Sequence, residues 1–207
     1  VISTNSGDPP LFDRSSVDLV EAVEQCEIIE RDEPAQYVTV KEPVTFGGNR
    51  GDFLTFLPPE NGEKKLRLDV AIDFSSVIGQ QRIVFDVTPD SFRHGAFART
   101  NASHRQMLMV RLFGFLFADT RNLGYTTDNI LIHGKHKYYG EPRFVQEDSG
   151  KALEPVWHRA TLDLLAAIAL IDIGRFVGRV VSYRAGHTLD VRAVGLLYKH
   201  NLLEPLE

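Results

Sequence analysis

Apolar residues recur with two different periods along this chain, and the change of period marks its layers. Between Gln36 and Val87 they alternate with polar ones, as they do on strands with one buried face. Gln36–Phe46 alternates through Tyr37, Val38, Val40 and Val44; Phe53–Leu57 and Leu66–Phe74 follow, and Arg82–Val87 closes the run. The Pro-Pro-Glu-Asn-Gly-Glu segment between the second and third strands suits a hairpin, so an antiparallel meander is expected. Helical spacing flanks this region. After a Ser-, Gly- and Pro-rich loop (Val1–Pro10), Leu19, Val20, Val23 and Cys26 lie on one face of a helix over Ser16–Ile28, capped by Asp13 or Ser15. Pro89 opens a short helix to about Phe97. A longer one over Ser103–Asn122 places Met107, Val110, Leu112, Phe115 and Leu116 near one side before Gly124 stops it. Asn129–His133 reads as a short strand and Gly134–Gly150 as a polar loop.

The longest apolar stretch runs from Glu154 to Asp190. Pro155 suits the first turn of a helix, and from Trp157 to Ile171 only His158, Arg159, Thr161 and Asp163 interrupt the apolar residues. A helix apolar on nearly every side is buried on two sides, and this one is too short to cross a bilayer. Gly174 ends it. A β-branched strand, FVGRVVSY, then runs into the turn Arg184-Ala185-Gly186-His187, and a last helix covers about Thr188 to Asn201. Strands segregated from helices in this way predict an α+β fold, a two-layer sandwich of a mainly antiparallel sheet packed against helices.

Composition narrows the field of functions. With 207 residues, 43% of them hydrophobic, the chain can bury a proper core. A net charge of −5 argues against a general grip on nucleic acid. Cys26 is the only cysteine, which excludes an internal disulfide and fits the cytoplasm or another reducing compartment. No apolar run reaches membrane-spanning length, and no signal peptide pattern is present.

The candidate chemistry lies at the mouth of the central helix and in the turn after the strand. Arg159 and Asp163 are four apart, the spacing of a helical ion pair. His158 and Asp163 are five apart, about 140° round an α-helix, and are expected to diverge. His187 in a Gly-containing turn reads first as a structural hydrogen-bonding residue, with Gly186 there for a positive φ. Arg184 reads as a surface cation, and His133 and His136 as solvated residues of a polar loop. The apolar side of the Ser103–Asn122 helix reads as core. Neither a nucleophile elbow nor a phosphate-cradling glycine loop is present.

This stretch resembles the second domain of the zinc-dependent UDP-3-O-acyl-N-acetylglucosamine deacetylases. That family has a Ser-Gly-His-Ala-Leu turn, here Ala185-Gly186-His187-Thr188-Leu189, and a helix opening His-Lys-x-x-Asp, set against Arg159-Ala160-Thr161-Leu162-Asp163. Its Asp-Phe loop looks like Asp73-Phe74 through Arg82, and its Ala-Arg-Thr segment like Ala98-Arg99-Thr100. The resemblance implies one deacetylase-like second domain over residues 1–207, without the family's first domain. It implies that Arg184, Thr100 and Phe74 bind substrate, that His187 is the catalytic histidine, and that Asp163 is a metal ligand if a zinc site survives. Arg159 falls where the family has its metal histidine, Ala160 where it has a lysine, and Ala167 where an aspartate pairs with the turn histidine. The first domain's metal histidine and glutamate base have no counterpart. The expectation is therefore a non-catalytic relative holding no metal cofactor. It would act as a binding or structural subunit, with a protein partner or an acylated or UDP-sugar ligand. The alternative is a zinc-dependent hydrolase that removes an acetyl group, its missing domain supplied elsewhere.

Overall fold

The computed structural model describes residues 12–27, 29, 32–117 and 126–206, apart from the side chains of 111 and 113–117. The Val1–Pro10 loop, the end of the Ser103–Asn122 helix and its stop at Gly124 lie outside these residues. In chain order the elements are α1 (Val17–Glu24), β1 (Tyr37–Val40), β2 (Val44–Gly47), β3 (Phe53–Leu57), β4 (Leu66–Asp73), β5 (Gln80–Asp86), α2 (Pro89–Gly95), β6 (Asn101–Ser103) and α3 (His104–Phe117). They continue as β7 (Leu131–His133), β8 (Tyr138–Tyr139), α4 (Glu154–His158), a π-helical segment (Arg159–Leu164), α5 (Leu165–Ile168), β9 (Arg175–Phe176), β10 (Gly178–Tyr183), α6 (His187–Lys199) and β11 (Leu203–Leu206).

The main sheet has the order β2-β3-β10-β4-β5. It is antiparallel except between β10 and β4, which run parallel with Tyr183 opposite Ala71. The α+β sandwich expected of the sequence is present, but the meander is not. β10 lies between β3 and β4, so those two strands form no hairpin. Their connection carries Pro58, Pro59 and a 3₁₀ turn at Glu60–Gly62, which spreads the strands and leaves room for a third. The strand expected over Gln36–Phe46 is also two. Pro43 lacks the N–H a continuous ladder needs, and the Lys41 amide donates to the Leu202 carbonyl at 2.9 Å. β1 therefore joins a separate sheet, between β11 and β9.

One face of the main sheet is covered by α6 and by the helix made of α4, the π segment and α5. Leu54, Phe56, Leu68, Val70 and Val180 meet Val156, Ala160, Leu164, Ala193 and Leu197 in one buried cluster. The opposite face is polar. There Asp69 is buried beneath two arginines: Arg82 donates from Nε at 2.7 Å and from Nη2 at 2.8 Å, and Arg179 donates from Nη2. α2 starts with a capping box in which Thr88 and Ser91 satisfy each other's amides. Its last residue, Gly95, lies against the π segment, where an added Cβ would stand 2.2 Å from Thr161 Cγ2.

A small third sheet, β6-β7-β8, lies beside α3. It is tied to the central helix by Glu154, which is wholly buried and opens α4. Its carboxylate accepts from Arg99 Nε at 2.7 Å, Arg99 Nη2 at 3.0 Å and the Arg99 amide at 2.9 Å. The Arg143 amide adds a further bond at 2.6 Å. A charge without solvent access is tolerable only when it is matched this completely.

Candidate functional site

Parallel pairing delivers two chain segments to one end of the sheet. β4 and β10 both finish there, followed by Asp73-Phe74 and by Arg184 to His187 respectively, and the β2–β3 loop carrying Asn49, Arg50 and Asp52 lies at the same end because Phe53 pairs with Tyr183. With Thr100, just before β6, and the first turns of the central helix, these segments wall a cleft of about 750 Å³. Asp163, His187, Arg184, Thr100 and Phe74, which lie far apart in the sequence, all line it. Asn49, Arg50 and Asp52 also line it and were not legible, since a polar loop between two strands carries no signal of its own.

The turn is built differently from expectation. Arg184, not Gly186, takes the left-handed conformation, with φ of 53°, while its amide donates to the Ala71 carbonyl at 2.9 Å. Gly186 is extended at φ −137° and precedes α6, which has no side-chain cap. His187 is the first residue of α6 and is 80% exposed.

The central helix departs most from simple arithmetic. Between Arg159 and Leu164 it is a π-helix, in which the Leu165 amide donates to the Ala160 carbonyl five residues back. In this geometry residues five apart lie one above the other. His158 and Asp163 therefore do not diverge: His158 Nε2 is 3.5 Å from Asp163 Oδ1. The π turn places one more residue between His158-Arg159 and Asp163 than separates the His-Lys and the Asp of the His-Lys-x-x-Asp motif. The only sign in the sequence was this difference in spacing.

Arg159 does not pair with Asp163 either. Its Nη2 donates to Asp190 Oδ1 at 2.6 Å and its Nε to the Ala185 carbonyl at 2.9 Å, which pins the turn and the start of α6 to the central helix. Asp163 instead faces two imidazoles, with His187 Nε2 at 3.0 Å from Oδ1. His187 thus has a carboxylate partner despite Ala167. Burial pushes the Asp163 carboxyl up, but hydrogen bonding and charge from His158, with His187 and Arg159, hold it below its ordinary value. Burial pushes Asp190 up against the pull of Arg159.

The ring of His158 is oriented by a carbonyl. Nδ1 lies 3.0 Å from the Ala98 oxygen, which can only accept, so Nδ1 carries a hydrogen and Nε2 is the nitrogen that faces Asp163. His158 Nε2 and the Asp163 carboxylate oxygen face each other across 3.5 Å, close to the separation of about 3.4 Å expected of two ligand atoms on one tetrahedral zinc. These two residues fit that ion. Among the described residues no group of three or more His, Cys, Asp or Glu is arranged to hold a metal.

Two other expectations change. His133 is not solvated; it is buried, with its ring edge-on to Phe74 at 6.2 Å and its basicity lowered by burial. The apolar side of α3 is not all core, since Met107 and Val110 face Ala102, Ile130 and Ile132 across an open groove of about 430 Å³. No described helix is long and apolar enough to cross a membrane.

Comparison with known proteins agrees with this geometry. The UDP-3-O-acyl-N-acetylglucosamine deacetylases of Brucella ovis, Brucella canis and Brucella suis are each 27% identical to this chain over 206 residues, covering 95% of it and 64% of their own length. The chain thus spans less than two thirds of the curated relatives it matches. A profile of the family described as UDP-3-O-acyl N-acetylglycosamine deacetylase matches residues 1–199, and the chain belongs to that family.

Proposed function

We propose that the cleft is the substrate-binding part of a zinc-dependent deacetylase centre, and that His158 and Asp163 are two of its metal ligands. The observation that carries this reading is the pair of metal-ligating groups, His158 Nε2 and Asp163 Oδ1, held 3.5 Å apart with the imidazole fixed from behind by the Ala98 carbonyl. A carbonyl on the far nitrogen is the usual support of a metal-bound histidine. Zinc bound there would polarise an amide carbonyl and lower the pKa of water.

The chain's own groups supply the rest of the binding geometry. Arg184 and Arg50, which both line the cleft, suit the paired charges of a sugar nucleotide diphosphate. Thr100 offers a hydroxyl, Phe74 an apolar ring face, and the groove between α3 and β7 an apolar slot for an acyl chain. His187, with its Nε2 3.0 Å from Asp163 Oδ1 and its ring lining the cleft, is the group placed to pass a proton to a leaving amine. The resemblance assigns the third ligand and the general base to the family's first domain.

A second reading, a ligand-binding subunit without hydrolysis, is favoured by Ala167. The family's separate aspartate for the turn histidine is missing, and Asp163 would have to serve both the metal and His187. Zinc titration of the metal-free chain by calorimetry tests the first reading. Wild type should bind zinc, and His158→Ala and Asp163→Asn should each weaken binding by more than the roughly tenfold that loss of an outer-shell partner costs. Affinity unchanged in both variants would sink the proposed ligands.

A further inference from the structure

The element that the cleft does not use on its outer side is α3. Its positions Leu108, Met109 and Leu112 are 43%, 58% and 62% exposed, a high exposure for three large apolar side chains on one helix. At about 100° per residue they share one face with Arg105; Arg105 and Met109 also form the near lip of the groove that Met107 and Val110 line, while Leu108 and Leu112 lie outside it. The helix therefore has apolar residues on both sides, and among the described residues only the groove side has a neighbour.

The charge around this face is mainly positive. His104, the first residue of α3, stacks on Tyr139 at 4.2 Å and 15°, and the Lys137 ammonium lies 5.0 Å from the same ring. These contacts place the exposed Lys135-His136-Lys137 loop beside the first turn of α3 and Arg105. Among the described residues Arg105, Lys135 and Lys137 are in no ion pair, and between 101 and 140 the sequence sets five Lys or Arg against two carboxylates, Asp119 and Asp128. In a chain of net charge −5, this is a basic segment set apart from an acidic remainder.

We infer that the outer face of α3, with the Lys135–Lys137 loop, docks on an anionic lipid surface. Three apolar side chains on an exposed helix face, flanked by unpaired cations, match what an interfacial helix needs: apolar area to enter the acyl boundary and positive charge to meet the headgroups. A second copy of this chain fits the face less well, since two copies would bring like charges together. The inference is independent of zinc and of hydrolysis, because it rests on surface groups outside the cleft.

The test is co-sedimentation of the chain with vesicles of phosphatidylcholine alone and of phosphatidylcholine mixed with phosphatidylglycerol. The chain should sediment with the mixed vesicles, be released by high salt, and stay in solution with the neutral ones. Lys135→Glu combined with Lys137→Glu should weaken binding at least roughly tenfold, since each cation near such a surface contributes a several-fold factor. Leu108→Gln combined with Leu112→Gln should weaken binding without changing the salt dependence. The loop variant lies outside the helix, so it reads the charge contribution even if the helix variant lowers the melting temperature. Failure to bind mixed vesicles, equal binding to both compositions, or concentration-dependent self-association abolished by the leucine variant would each overturn the inference.

Discussion

Arg159 and Asp190 form a buried pair whose strength depends on both members staying in place. Asp190 has no solvent access and the Arg159 side chain has 9%, and a single 2.6 Å contact joins them. Arg159→Ala would leave a buried carboxylate uncompensated and release the Ala185 carbonyl, so the chain should lose about 3–5 kcal/mol in denaturant unfolding. A loss below about 1 kcal/mol, typical of an exposed pair, would refute this. The sign with pH follows from Asp190, whose folded pKa already lies above its ordinary value through burial. Without Arg159 it would rise further, so the deficit should be largest above the unfolded carboxyl range and shrink as pH falls into it. The sequence showed Arg159 and Asp163 at helical spacing but could not show this pairing, because Asp190 lies on another helix. His158 was misread for a related reason: a constant rotation per residue was assumed, and no local composition marks a π turn.

Among elements, that π turn depends on a close approach. Gly95 ends α2 where a Cβ would meet Thr161 Cγ2 at 2.2 Å and Oγ1 at 2.7 Å, and the hydroxyl is itself bonded to the Trp157 carbonyl at 2.7 Å. Thr161 has little freedom to yield. Gly95→Ala should therefore cost about 1–3 kcal/mol by overpacking, and adding Thr161→Ala should restore part of it. If Gly95→Ala melts like wild type, α2 and the π turn are not in firm contact. The strands Phe53–Leu57 and Leu66–Phe74 and the helix opened by Pro89 were legible from period and turn residues. β11 was not, because Leu203–Leu206 is short, contains Pro205 and is a strand only by pairing with β1.

At the scale of the molecule, the polar sheet face links stability to acidity. Hydrogen bonds from Arg82, against burial and with Arg179 assisting, hold the Asp69 carboxyl below its ordinary value. A depressed folded pKa gives stability that is present above the unfolded value, about 3.9, and is lost as pH falls through the folded one. Wild type should thus lose stability below about pH 4, and Asp69→Asn should be less stable at neutral pH with a shallower acid loss. Equal acid slopes would show that other carboxyls control the transition. The fold class was readable because strands and helices fall in separate runs. The strand order was not, since periodicity identifies a strand without naming its neighbours.

That order has a consequence for how the chain is made. Val180 is opposite Phe56 on one side and Leu68 on the other, so β3 and β4 become neighbours of a common strand that leaves the ribosome long after both. Until β10 emerges, each has an unpaired edge, and closing the sheet must bring together segments from distant parts of the chain. The same strand carries the turn that forms one wall of the cleft. Completion of the sheet and assembly of the cleft are therefore one late event, and a nascent chain that stalls before Tyr183 would expose a templating edge rather than a partial site.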